Sequence, residues 1–347
     1  MSPGPRLDIA SLLQSEALPT TAHPALPDLG TRRFVFVTGK GGVGKSTVCA
    51  ALGMALAARG KRVLVAMCHT KERLSALLGT PPIGDDIVRC ADNLWAVNLS
   101  PEKALAEYGA LILKVGAVAR TVFDNQYVKA FFRAVPGLYE WSMLGKAWWH
   151  TTETDDRGRN RFDVVLFDAP ATGHGLDMLR VPKVILDVVP PGVLRRDAER
   201  AWAMFQNPKQ SGVVVVTLPE EMPTQETIEL TAAVRELGLP VLGMVVNGVM
   251  SPLFDDAERE ALLRQPALLD IGAAGAATDA AARAVVAGAR RAAREKVQRE
   301  SLARLERELD MPRAFLPLLF EEGGSPAGTR LLSEKLQATG PRPQDSE

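Results

Sequence analysis

A glycine-rich loop at residues 39–47, GKGGVGKST, constrains this chain more than any other segment. It matches the pattern G-x-x-x-x-G-K-[ST]. It lies between an apolar run at 33–38, which predicts a buried strand, and a helical pattern at 45–59 that Gly60 ends. In that setting the backbone N–H groups of the loop and the N-terminus of the helix can surround a polyphosphate. We therefore predict a site for ATP, bound by Gly39, Gly41, Gly42, Val43, Gly44, Lys45, Ser46 and Thr47.

Two side chains of this loop and one carboxylate further along supply the chemistry of the predicted site. Lys45 is expected to neutralise the β- and γ-phosphates, and the Ser46 hydroxyl is expected to bind Mg²⁺. Asp168 ends the apolar run at 163–167, where a carboxylate would hold the water shell of that ion. Mg²⁺ is therefore predicted beside the ATP, with Ser46 and Asp168 as its ligands.

Apolar runs alternate with helical segments along much of the chain. The runs at 62–67, 163–167, 212–217 and 241–246 each predict a buried strand, and the segment 224–237 between two of them predicts a helix. Such alternation is typical of an α/β fold with a doubly wound, mostly parallel sheet that helices cover on both sides.

Three segments do not fit the sheet, and two of them predict a helical lobe inserted into it. Residues 101–155 have mostly helical patterns and are rich in aromatic residues, which favours the core of the lobe over the alternative of an exposed binding groove. Residues 183–208 extend the lobe. Residues 272–309 predict one long helix whose charges form a solvated face.

The chain is divided by composition into a tail and one large domain. Residues 1–30 are rich in proline, alanine and serine and are predicted to be disordered, although a short docking helix at 7–17 remains the alternative. The ATP-binding domain is predicted to span 31–340.

Charge and cysteine content exclude several kinds of partner. Lys plus Arg and Asp plus Glu are equal at 41 each, so we expect no nucleic-acid partner. The three cysteines form no Cys-x-x-Cys pair, which argues against a zinc site and favours a cytoplasmic location. No apolar run approaches the roughly 20 residues needed to cross a bilayer. No integral membrane segment is therefore expected, and a partner at the membrane surface stays open.

Several motifs together resemble the ArsA/GET-type family of ATPases. The loop has the GKGGVGK form of a deviant Walker A motif, with an additional lysine at position 40, and residues 168–182 (DAPATGHGLDMLRVP) resemble the family's second switch. Weaker matches follow at Leu218-Pro219-Glu220-Glu221, Asn247 and 317–320. The resemblance runs from about residue 33 to 336 and implies a SIMIBI-like P-loop NTPase fold.

The resemblance also implies roles for particular residues. Lys40 would reach the nucleotide of a second subunit, so that ATP is enclosed by a dimer of this chain with itself or with a paralogue. The second switch, which responds to the γ-phosphate, would consist of Asp168, Thr172, Gly173 and His174. Asn247 would contact the adenine edge, and Pro317 and Leu318 would pack on the adenine.

One position departs from the family pattern. The first switch of the family carries an aspartate that positions the attacking water, and alignment of Arg73-Leu74 with that motif places His69 there instead. A neutral imidazole can orient or deprotonate water, but it lacks the negative charge of the aspartate. We therefore predict slow or partner-dependent ATP hydrolysis, with Lys40, Lys45 and His69 as the catalytic candidates.

The function predicted on this basis is a nucleotide-switched ATPase whose state controls the binding of an unidentified protein partner or client. Two alternatives stay open. The chain could be a pseudo-ATPase scaffold that holds ATP as a structural ligand, or a chaperone for hydrophobic protein segments that uses the aromatic residues of 101–155.

Overall fold

A computed structural model describes residues 24–68, 72–113, 137–170, 174–264, 279–320 and 322–339. Within them the strands form one sheet in which neighbouring strands are parallel, except for an antiparallel pair at one edge. The strands are β1 (Phe34–Gly39), β2 (Val63–Cys68), β3 (Val88–Ala91), β4 (Leu94–Leu99), β5 (Val164–Asp168), β6 (Ser211–Thr217), β7 (Val241–Val249) and β8 (Arg313–Pro317). Their order across the sheet is β3-β4-β2-β5-β1-β6-β7-β8.

Helices cover both faces of this sheet. The described helices are α1 (Lys45–Ala58), α2 (Leu74–Leu78), α3 (Pro101–Leu113), α4 (Leu138–Trp149), α5 (His174–Val188), α6 (Val193–Gln206), α7 (Glu221–Glu236), α8 (Asp256–Leu263), α9 (Ala280–Glu308) and α10 (Pro326–Thr339). On one face α1, α2 and α10 enclose a core, and on the other α4, α5, α6 and α7 enclose a second. The predicted α/β fold with a doubly wound, mostly parallel sheet is therefore confirmed.

The central strand β1 shows why the sequence adopts this arrangement. Phe34 and Phe36 contribute to the core on one face, and Val35 and Val37 contribute to the core on the other. All four are buried, because a strand between two helical layers has no face in water. Such a strand requires a continuous apolar run rather than an alternating one.

Two parts of the sheet were not predicted from the sequence. The antiparallel pair β3 and β4 extends the sheet beyond β2, and β3 alternates partly buried with exposed residues because it lies at the edge. At the opposite edge, β8 pairs with β7 and ends at Pro317, where the sequence predicted only a loop. Leu318 begins the loop after the strand.

The described tryptophans of the aromatic segment pack against the sheet. Trp141 and Trp148 of α4 are buried in the same core as Phe34 and Phe36 of β1. The helices α3 and α4 thus form part of the layer that covers this face. Of the predicted tail at 1–30, residues 1–23 lie outside the described residues, as do the aromatic residues of 114–136. Within 24–30, Leu26 and Leu29 are buried, and the Pro24 carbonyl accepts a hydrogen bond from the Arg313 N–H.

The long helix α9 is attached to the loop after β7 by buried polar side chains. Gln298 accepts a hydrogen bond from the Met250 N–H and donates one to the Met250 carbonyl, each at 2.8 Å. Glu295 accepts from the Leu253 N–H at 2.8 Å and pairs with Arg291 at 2.8 Å. The expectation of a charged face in water was therefore wrong for Glu295, because it is buried against this loop together with Gln298.

None of the described helices combines the length and the apolar character that crossing a lipid bilayer requires.

We expect the core under β1 to depend on Phe205 of α6, whose ring centroid lies 5.0 Å from that of Phe34 and 4.9 Å from that of Phe36. Phe205→Ala should lower the free energy of unfolding by about 3–5 kcal/mol, since it removes a fully buried ring. Urea denaturation measures this change. Val193→Ala, on the same helix but exposed, should change stability by less than about 0.5 kcal/mol. A loss below about 1 kcal/mol for Phe205→Ala would contradict this packing.

Candidate functional site

The glycine-rich loop leaves β1 at the carboxyl edge of the sheet, and its glycines have backbone conformations that other residues rarely adopt. Gly39, Gly42 and Gly44 have φ angles of 154°, 86° and 89°. A Cβ atom on Gly39 would lie 2.2 Å from the Val216 carbonyl oxygen, and one on Gly44 would lie 2.4 Å from the Asn247 amide nitrogen. The loop therefore keeps its shape only with glycine at these positions.

Ser46, in the first turn of α1, is joined to Asp168 at the end of β5. The Ser46 hydroxyl donates to Asp168 Oδ2 at 2.6 Å. Asp168 lies next to Val37 in the sheet register, so its carboxylate is below the start of the loop. The other carboxylate oxygen, Oδ1, is buried and has no hydrogen-bond partner among the described residues.

The environment of Asp168 disfavours its charge. Burial raises the pKa of this carboxyl to about 6, against the lowering effects of the Ser46 hydrogen bond and of the Lys45 charge. A nearby cation stabilises the ionised form of a buried carboxylate that has one oxygen without a hydrogen-bond partner. The donor set at this position, a hydroxyl and a carboxylate, is the set that Mg²⁺ prefers.

The two lysines of the loop point in different directions. Lys45 Nζ donates to the carbonyl of Lys40 at 2.9 Å, so this ammonium group lies within the loop. Burial lowers the pKa of Lys45, and the charge of Asp168 opposes that effect. Lys40, in contrast, forms an ion pair with Glu226 of α7.

Asn247 of β7 contacts the loop, and Leu318 lies beside the end of the same strand. The Asn247 amide donates to the Val43 carbonyl at 3.0 Å, so this side chain supports the loop from β7. The Leu318 N–H donates to the Val249 carbonyl at 2.9 Å, which holds the residue after Pro317 beside the same strand. Of the residues predicted to contact adenine, Asn247 thus contacts the loop itself, through a hydrogen bond that the sequence did not indicate.

Several predicted residues fall outside the described part of the chain. They are His69, Thr172 and Gly173. The backbone of His174 is described and begins α5. Glu72, the carboxylate nearest to His69 in the first switch, binds Ser75 through both oxygens, at 2.7 Å to the N–H and 2.5 Å to the hydroxyl. Glu72 is therefore already used to hold the start of α2.

Sequence reasoning missed Glu226, the partner of Lys40. Glu226 lies 186 positions beyond Lys40, on a helix that follows β6, the neighbour of β1 in the sheet. Neither the strand pattern nor the phosphate-loop motif indicates which face of that helix approaches Lys40. The motif Leu218-Pro219-Glu220-Glu221, which marks the end of β6, was the nearest signal.

The loop and the carboxylate together fit ATP and Mg²⁺. Glycines at positive φ give the loop its turn, Lys45 lies within the loop, and Asp168 has a carboxylate oxygen with no hydrogen-bond partner among the described residues. In the described part of the chain, no group of three or more His, Cys, Asp or Glu residues is placed so that it could hold a metal ion. This arrangement on a doubly wound parallel sheet defines the class of P-loop nucleoside-triphosphatase folds.

Comparison with known proteins gives the family within that class. Residues 32–190 match the family model described as anion-transporting ATPase, a stretch that contains the loop, Asp168 and α5. Together with the relatives described next, this match supports an ArsA/GET-type, anion-transporting ATPase-like family for the chain.

Three curated relatives illustrate the range of the family. The ATPase BagA of Mycobacterium tuberculosis is 29% identical over 62% of this chain and 64% of its own length. The arsenical pump-driving ATPase of Escherichia coli is 26% identical over 71% of this chain and 45% of its own length. The ATPase GET3 of Kluyveromyces lactis is 25% identical over 69% of this chain and 79% of its own length. The chain thus spans less than two thirds of the mycobacterial relative.

We expect Asp168→Asn to stabilise the nucleotide-free protein. A free aspartate has a pKa near 3.9, so between about pH 4 and 6 the unfolded chain ionises while folded Asp168 keeps its proton. Stability therefore falls as pH rises through that window and stays lower above it. Urea denaturation at pH 7.5 should show a gain of about 1–3 kcal/mol for Asp168→Asn, and the gain should shrink towards pH 4.

Asp163, just before β5, supplies the matched control. Burial favours its neutral form, but the side-chain and backbone hydrogen bonds from Arg62 outweigh that effect and lower its pKa. Asp163→Asn should therefore destabilise the protein at pH 7.5. If Asp168→Asn destabilised the protein as well, the unfavourable burial of the Asp168 charge would be contradicted.

Proposed function

We propose that this chain binds Mg·ATP at residues 39–47, hydrolyses it slowly, and changes its association with a second subunit and a protein partner according to the bound nucleotide. The hydrogen bond between Ser46 and Asp168, with its buried unpaired oxygen, carries this proposal. It brings together a hydroxyl and a carboxylate next to a backbone cradle for phosphate. A glycine turn with no ligand would have no need for the buried charge.

Each residue of the site has a part in binding. The N–H groups of the loop and of the N-terminus of α1 would donate hydrogen bonds to the phosphate oxygens, and the Lys45 ammonium would neutralise their charge. Ser46 and Asp168 would hold Mg²⁺, which neutralises charge on the β- and γ-phosphates when it is bound. Asn247, Pro317 and Leu318 would contact the adenine.

We further propose that the site is completed by a second subunit, either another copy of this chain or a paralogue. Lys40 supports this proposal, because its ammonium is directed away from the loop interior that Lys45 occupies. Thr172, Gly173 and His174 would transmit the presence of the γ-phosphate to α5, which begins at His174 and packs next to α6. The identity of the protein partner is not part of the proposal.

Slow hydrolysis is supported by the surroundings of the first switch. The residue at the position of the water-positioning aspartate is His69, and Glu72 is already bound to Ser75. Glu72 could act on water only if it left the start of α2. The same observation favours a second candidate function, in which ATP is a permanent structural ligand of a scaffold that does not hydrolyse it.

Steady-state measurement of phosphate release tests this function. The wild-type chain should hydrolyse Mg·ATP with saturable but slow kinetics, and His69→Asp should raise kcat by about 10-fold or more, because a carboxylate would position the water. His69→Asn, which has a similar size but no charge, should not raise kcat. Lys45→Ala should abolish saturation.

The possible outcomes separate the two candidates. Thermal stabilisation by Mg·ATP with no turnover in the wild type would favour the scaffold. Fast turnover that His69→Ala leaves unchanged would contradict the role of His69, and the absence of any ATP binding would contradict the proposed function as a whole.

A further inference from the structure

The ion pair between Lys40 and Glu226 links the loop to α7 within one chain. Both side chains are mostly buried, with exposed fractions of 31% and 27%. One oxygen of the Glu226 carboxylate contacts the Lys40 ammonium, whereas the other oxygen is buried and has no hydrogen-bond partner among the described residues. Among the described residues, Lys40 is thus the cation that pairs with Glu226.

Glu226 is the fixed member of this pair. Its helix is anchored next to it, because Gln225 accepts a hydrogen bond from Arg304 of α9, and the Thr217 hydroxyl at the end of β6 donates to the Pro223 carbonyl at 3.2 Å. Lys40, in contrast, is on a loop between two glycines. A change in the contact therefore moves the lysine rather than the carboxylate.

Separation of Lys40 from Glu226 is energetically unfavourable for the carboxylate that stays behind. A partly buried carboxylate that loses its counter-charge still lacks much of its hydration, and no ion pair offsets that penalty. Its free energy is therefore less favourable than that of either the ion pair or a fully hydrated carboxylate. A second chain that recruits the Lys40 ammonium to its own phosphates would have to offset this loss. Replacement of Glu226 by an uncharged isostere removes the loss.

We propose that Glu226 is a positioning residue for Lys40: it holds the lysine away from the phosphate cradle of its own chain and sets the threshold for ATP-dependent association with a second chain. This inference rests on the proposed function. Neither the family match nor the sequence motifs include Glu226. Its carboxylate acts only through Lys40 and is not expected to touch the nucleotide.

The first test measures the ammonium group itself and needs no nucleotide. The full-length chain is treated with an amine-acylating N-hydroxysuccinimide ester at pH 7.5, and mass spectrometry follows the modification of Lys40. Glu226→Gln should raise the rate at Lys40 at least threefold, because the ion pair with Glu226 covers the amine and holds it in place. Glu226→Asp should give a rate closer to that of the wild type.

Glu229→Gln is the matched control, since Glu229 lies three residues further along α7, is exposed and contacts Gln225 rather than Lys40. It should leave the rate at Lys40 unchanged. Equal rates in the wild type and Glu226→Gln would overturn the proposal, whatever the protein does with ATP.

The second test measures association by sedimentation with saturating Mg·ATP. Glu226→Gln should associate at a 3- to 10-fold lower protein concentration than the wild type. The difference should shrink as salt rises from 50 to 500 mM, because the ion pair is partly exposed. It should vanish in the Lys40→Ala background, where Glu226 has no lysine to hold.

The outcomes distinguish this inference from the proposed function. Weaker or unchanged association of Glu226→Gln would overturn the threshold role of Glu226. If the wild type bound no Mg·ATP, the proposed function would fail and the association threshold with it. The acylation rates would still decide whether Glu226 holds Lys40.

Discussion

The hydrogen bond between Ser46 and Asp168 joins the first turn of the helix after the glycine-rich loop to the end of a neighbouring strand. Everything else at the site depends on this junction, because it places a buried carboxylate directly beneath the backbone cradle. Burial raises the pKa of Asp168 to about 6, and one of its oxygens has no hydrogen-bond partner within the described part of the chain. Such a group is unfavourable for stability alone, which is typical of a residue retained for binding.

The order of the strands determines which residues can meet at this edge. β1 lies between β5 and β6, so the loop after β1 has Asp168 on one side and the start of α7 on the other. The same arrangement explains why Lys45 and Lys40 diverge. Lys45 lies over Asp168 within the loop, and Lys40 lies towards Glu226 of α7. One short loop thus connects the candidate metal site to a helix on the other side.

The central strands and the phosphate loop could be predicted from the sequence because each has a strong local signal. β1, β2, β5, β6 and β7 are continuous apolar runs, and the loop requires glycines at positive φ. The edge strands β3 and β8 could not, since an edge strand is short and partly exposed. Strand β4, between β3 and β2, was not predicted either. The contacts of Asn247 with Val43 and of Lys40 with Glu226 join residues about 200 positions apart, which no local pattern specifies.

The central claim is that the backbone N–H groups of residues 41–47 bind phosphate, and hydrogen–deuterium exchange observes those groups directly. Exchange is compared for the free chain, for the chain with Mg·ATP, and for Lys45→Ala with Mg·ATP. The account predicts that peptides covering the loop and the first turn of α1 become protected on addition of Mg·ATP to the wild type only, while the interior of β1 stays equally slow throughout. Unchanged exchange in the loop of the wild type at saturating Mg·ATP would contradict the account.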